Sequence, residues 1–108
     1  MALIDLSSIQ PKVIVAGYPA RFVHTDSMTL SFLTVKAGAS LPTHAHIHEQ
    51  VSIVLEGRFQ LTLADETIEF GVGEIVVIPS NVPHSGIALT DCKLIDVFNP
   101  IREDYQNL

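Results

Sequence analysis

Cysteine is nearly absent from this sequence, and basic residues are scarce. The lone Cys92 excludes an internal disulfide and leaves no second thiol for a redox or zinc motif, so it reads as a small core residue. Six Lys and Arg stand against twelve Asp and Glu, a net charge of −6, which argues against a nucleic-acid surface or an anionic membrane as partner. No apolar run approaches the ~20 residues of a membrane span, and Met1 to Gln10 lacks a basic stretch followed by an apolar one. A cytoplasmic location is therefore expected. Long amphipathic helices, internal repeats and low-complexity linkers are missing too. Charged residues make up 17% of the chain and hydrophobic ones 47%, which predicts a packed globule over a disordered chain. With 108 residues, one domain spanning 1–108 is expected, with no room for a second functional module.

What the chain does have is a period of two. Lys12–Ala16, Ala20–Thr25, Met28–Lys36, Thr43–Ile47 and Val51–Leu55 are predicted strands, followed by Arg58–Ala64, Thr67–Phe70, Ile75–Ile78, His84–Leu89 and Lys93–Phe98. Turn signals separate them, among them Gly17-Tyr18-Pro19, Glu56-Gly57, Asp65-Glu66 and the stretch from Pro79 to Pro83. About ten short strands at this spacing indicate an all-β sandwich or barrel.

Chemistry concentrates around the histidines. His44 and His46, one residue apart, would share a face of a strand with Cα atoms ~6.6 Å apart, so both imidazoles could reach one centre. His48 would lie ~13 Å from His44 along the same strand, so a third ligand from this segment requires a bend after His46. His48 and Glu49 are expected to form that bend and face solvent. His24 reads as a structural histidine.

The stretch Gly38 to Gly57 holds a Gly, five residues, His44-x-His46, three residues, Gln50, six residues and a Gly; Gly73 to His84 holds a Gly, five residues, Pro79, Asn81 and His84. Together these resemble the paired motifs of the cupin superfamily, of the small single-domain type, over Gly38 to about Ala88. Gln50 stands where the family usually has Glu, Asn81 where it has Gly, and Ala88 where it often has Asn. The resemblance implies a double-stranded β-helix, or jelly roll. It also implies one divalent transition metal (Zn, Ni, Fe, Mn or Cu) held by His44, His46, Gln50 and His84, with His48 the competitor to Gln50. Three imidazoles and an amide leave such an ion its full +2 charge, which favours a small anionic substrate and Lewis-acid chemistry and gives less support to a high-valent iron intermediate.

Toward the carboxyl end, Asp96 and Phe98 share one face of a strand that stops at Pro100, with Arg102 just beyond. This segment resembles the end of the small cupins that convert 4,5-unsaturated uronates to their linear keto form. That resemblance implies Asp96 as proton carrier, Phe98 as a substrate-binding wall, and Arg102 as a catalytic and substrate-binding group gripping a carboxylate through its planar fork. An ordinary last strand would instead leave Asp96 and Arg102 exposed with Phe98 in the core. Two other functions stay open: a metal-dependent dioxygenase acting on a diketone or thiol, and a sugar-binding cupin without catalysis. A homodimer is implied by family resemblance, with the strands of about 1–26 packing on the barrel or on a dimer partner, and Lys12–Ala16 covering a sheet edge.

Overall fold

In the computed structural model, which describes residues 2–108, the alternating segments become ten antiparallel strands. They are β1 (Lys12–Val13), β2 (Pro19–His24), β3 (Thr29–Val35), β4 (Ser40–His44) and β5 (Glu49–Glu56), then β6 (Arg58–Leu63), β7 (Glu66–Gly71), β8 (Ile75–Ile78), β9 (His84–Ala88) and β10 (Cys92–Asn99). A 3-10 turn at Leu6–Ser8 precedes them, and a four-residue helix, α1 (Glu103–Gln106), follows. One sheet has the order β1-β2-β3-β10-β5-β8 and the other β4-β9-β6-β7, the crossed connectivity of a jelly roll. Early strands β1 and β2 extend the first sheet of their own chain through pairing with β3.

The inner faces close on one core. Val35, Val54, Phe59, Leu61, Phe70, Ile78 and Leu94 form its centre, and the predicted core residue Cys92 is buried with them. Burying side chains of this size contributes roughly 1.5–3 kcal/mol each relative to exposure. Strands β5 and β6 are joined through Gly57 alone, at φ +88, the left-handed region that favours glycine. Asn81, also left-handed at φ 65, fills the position where the family motif carries Gly, and asparagine is the residue that most readily replaces it there.

One strand lies earlier than expected. The ladder runs over Ser40–His44 and stops where Thr43–Ile47 was predicted to continue. Pro42 falls inside the strand, which is possible because β4 is an edge strand, where a missing N–H can face away from the ladder. Beyond His44 the backbone turns from its sheet toward the Pro79–Pro83 loop. There Asn81 N donates to the His46 carbonyl at 2.8 Å and the Ser80 hydroxyl donates to that of Ile47, so one backbone and one side-chain hydrogen bond tie the two histidine-bearing segments together.

Candidate metal centre

His44 and His84 are direct cross-strand partners on β4 and β9, which sets their rings side by side with centroids 4.2 Å apart. His46 lies past the strand end but keeps the inward alternation, its ring 5.0 Å from that of His84. One nitrogen from each of the three rings lies within 4.8 Å of the others. From the facing sheet, β5 brings in Gln50, whose Oε1 is 3.1 Å from His46 Nε2.

Hydrogen bonds decide which nitrogens face the centre. Nδ1 of His44 lies 2.8 Å from the Pro42 carbonyl, and Nδ1 of His46 and His84 lie 2.9 Å from the carbonyls of His48 and Val82. A carbonyl only accepts, so each Nδ1 donates and each neutral ring turns an Nε2 lone pair inward. His84 Nε2 is buried with no hydrogen-bond partner. Likewise, His46 Nε2 faces the Gln50 oxygen, two acceptors with no proton between them. Burial first, then the nearby positive charge of Arg102, lowers the His46 pKa to about 4, so protonation does not relieve that contact at neutral pH. The His84 pKa is lowered as well, chiefly by burial and against the pull of the Val82 carbonyl. Inward lone pairs with no proton to share fit a cation, and three imidazoles with an amide oxygen suit a divalent transition ion.

The polar network continues along the inner face of β5 and β10. Gln50 Nε2 donates to Ser52 Oγ at 3.0 Å, and Ser52 Oγ donates to Asp96 Oδ1 at 2.7 Å, Ser52 and Asp96 being register partners. This chain orients the Gln50 amide with its oxygen toward the histidines. Asp96 is enclosed by protein except where it meets the cavity. Burial raises its pKa to about 6, against the lowering effects of Ser52, Gln50 and Arg102. Asp96, Phe98 and Arg102 all line a cavity of about 190 Å³ that also reaches His44 and Gln50. The alternative of an ordinary last strand with both charged groups exposed does not occur.

Arg102 departs from the expectation in one respect. Its Nε and Nη2 donate to Asp104 Oδ1 and Oδ2 at 3.0 and 2.8 Å, so the fork expected to grip a substrate carboxylate is already engaged within the chain. The buried guanidinium is stacked between Tyr105, 3.8 Å from the ring centroid, and Phe98, 4.7 Å away. The expected position of His48 is also corrected. It is buried beside His46 and Phe98 instead of facing solvent, because the bend at Ile47-His48 folds it under the carboxyl-terminal segment. His24 is structural, its Nδ1 2.8 Å from Thr29 Oγ1.

Sequence reasoning overlooked Ser52, although Gln50 and Ser52 alternate with Val51 and Ile53 and so signal a polar inner face. Asp104 and Tyr105 gave no such signal, since a single helical turn has no readable period.

A family model described as Cupin domain matches residues 31–98, a span from β3 to β10 that contains every one of these histidines except His24. This chain belongs to the cupin family. Among solved structures, the cupin resembles KdgF from Halomonas sp., with a TM-score of 0.88 and 25% identity over 96% of this chain and 99% of that one. It also resembles an RmlC-like cupin from Shewanella frigidimarina, with a TM-score of 0.88 and 26% identity over 97% and 96% of the two chains. An uncharacterized protein of Streptomyces coelicolor, SCO3923, is 26% identical over 85 residues, which cover 78% of this cupin and 81% of that protein. Among the described residues no helix is long and apolar enough to cross a membrane.

Proposed function

We propose that this cupin is a metal-dependent isomerase that opens a 4,5-unsaturated uronate, or a closely similar acidic sugar, to its linear keto form. The observation that carries the reading is the Asp96 carboxyl, which lines the cavity that reaches His44 and Gln50 and has a pKa raised to about 6. The likeness of the Asp96–Phe98–Arg102 segment to uronate-converting cupins, and similarity to KdgF over nearly the whole of both chains, support it.

His44, His46, Gln50 and His84 would hold the ion, which when bound supplies a positive field and Lewis acidity toward a substrate oxygen. The chain's own groups account for the proton movements. Ring opening removes the anomeric hydroxyl proton, turns that C–O bond into the aldehyde carbonyl as the bond from C1 to the ring oxygen breaks, and leaves an enolate that becomes the ketone by gaining a proton at C4. Asp96 takes the first proton as carboxylate and returns one to C4, so the conversion is an isomerisation with no net proton change. Ser52, donating to Asp96 Oδ1, fixes which oxygen is free for that task. Arg102 orients the substrate carboxylate with its charge and the N–H groups that Asp104 leaves free. Phe98 keeps water from the reacting face.

A second reading draws on the cavity floor, where Leu33, Leu41, Phe59 and Leu61 offer apolar surface. Such a floor suits a small acid or diketone with an apolar substituent, as a dioxygenase would take. Incubation with unsaturated uronate, following loss of its ultraviolet absorbance and oxygen uptake together, separates the readings. Absorbance loss without oxygen uptake is the expected result. Oxygen consumption with a diketone or thiol, and none of the expected absorbance change, would favour the dioxygenase; silence in both, with sugar-acid binding retained, would favour a binding protein.

A further inference from the structure

Arg102 is the cation of the cavity wall, and most of what holds it comes from beyond β10. Its backbone N–H donates to the buried Thr29 hydroxyl at 2.9 Å. Its guanidinium lies 3.8 Å from the ring centroid of Tyr105, while Asp104 takes its Nε and Nη2. The two ends of that ion pair differ in exposure. The Arg102 side chain is 7% exposed and the Asp104 side chain 57%, so Asp104 reaches in from the surface to a group that lines the cavity.

The geometry of the contact matters more than its charge. A guanidinium carries five N–H groups in one plane, and Nε–H with one Nη2–H forms a single edge of two parallel donors. Both oxygens of Asp104 occupy that edge. The next edge, the second Nη2–H beside an Nη1–H, is another parallel pair, and Nη1 makes no hydrogen bond among the described residues. Neutralising a buried arginine asks only for a nearby anion. Contact through both oxygens also fixes how the plane is turned, and so which edge is left for a ligand.

We propose that Asp104 is a positioning residue, which holds one edge of Arg102 so that the other is presented to the substrate carboxylate. It touches no substrate atom and carries no proton in the reaction. The substrate in this inference rests on the uronate reading, whereas the two-edge arrangement of Arg102 does not.

The test uses the full-length, zinc-loaded chain and two readouts. The first is turnover of unsaturated uronate. Because Asp104 is mostly exposed, Asp104→Ala should fold and keep its metal, while KM rises about tenfold and kcat stays within about threefold. Asp104→Glu should recover most of the loss. Formate fits the vacated edge, so added formate should lower the KM of Asp104→Ala and not that of the wild type; a merely structural role predicts no such rescue. The second readout needs no turnover. Arg21, Arg58 and Arg102 are the only arginines, so side-chain nitrogen NMR resolves Arg102 from few signals. Saturating D-glucuronate, a uronate without the C4=C5 bond, should shift the Arg102 Nη signals and leave its Nε signal in place. An Nε shift as large as that of Nη, which would mean that the ligand displaces Asp104, overturns the proposal. So does an Arg102 that does not respond, or a wild-type KM in Asp104→Ala. If the expected shifts appear but the wild type converts no unsaturated uronate, the isomerase reading fails and the placement of Arg102 by Asp104 stands.

Discussion

A neutral histidine offers a lone pair inward from one nitrogen only if the other nitrogen holds the proton, and here three backbone carbonyls accept hydrogen bonds from the Nδ1–H groups of His44, His46 and His84. Spacing in the sequence singled out these residues; it could not reveal the carbonyls, which depend on local backbone path. Asp96 acts at the same scale. Asp96→Asn should keep the ion, measured as metal content per chain, and lose ~10²–10⁴-fold in uronate turnover; undiminished turnover would remove its role as proton carrier. Gln50→Glu keeps an oxygen toward the histidines but adds a negative charge. It should raise KM for an anionic substrate about tenfold while metal content holds, a shift of ~1.4 kcal/mol, and an unchanged KM would mean that the neutral amide does not tune substrate charge. His48 was misjudged because exposure of a bend residue depends on what packs over it. Here the carboxyl-terminal segment does, and nothing local to Ile47-His48 announces it.

Among elements, β10 was the most legible. Its alternation sends Leu94, Asp96 and Phe98 inward in register with Val54, Ser52 and Gln50, so polar and apolar positions on two distant strands match. The start of β4 was less so: Thr43–Ile47 is the expectation and Ser40–His44 the strand, and that Pro42 can sit within it follows from its being an edge strand, which only the sheet order decides. Helix α1 was invisible for the same kind of reason: Asp104 and Tyr105 matter through contacts with Arg102, not through any pattern of their own. The β5–β6 connection offers an element-scale test. At Gly57 a Cβ would sit 2.2 Å from the Asp91 carbonyl oxygen, and φ is +88. Gly57→Ala should lower stability by more than ~2 kcal/mol, read as a fall in the urea midpoint with the slope preserved. A midpoint unchanged within error would show that this turn relaxes freely.

For the whole molecule, the buried polar groups couple folding to pH in opposite senses. In metal-free protein, Asp96 has its pKa raised from 3.8 to about 6, so the folded state binds the proton more tightly and gains stability as pH falls through that window. His46 is lowered from 6.5 to about 4, so the unfolded state takes up the proton first and stability is lost over nearly the same window. Asp96→Asn removes only the first effect. The urea midpoint of that variant should therefore fall more steeply than wild type between about pH 6 and pH 4, whereas parallel curves would mean that Asp96 is not desolvated. The sequence by itself determined the approximate strand count and the all-β class, because side-chain alternation is a property of the chain taken alone, and its motif spacing carried the family resemblance that implied the jelly roll and singled out the histidines. Tertiary structure alone decided which face of the six-stranded sheet is inner. On β3, β5 and β10 the side that holds Ser31, Gln50, Ser52 and Asp96 also holds Val35, Val54 and Leu94, while the other holds Leu30, Phe32, Val51, Ile53, Ile95 and Val97; either side is apolar enough to be buried, and only closure of the barrel turns the first one inward.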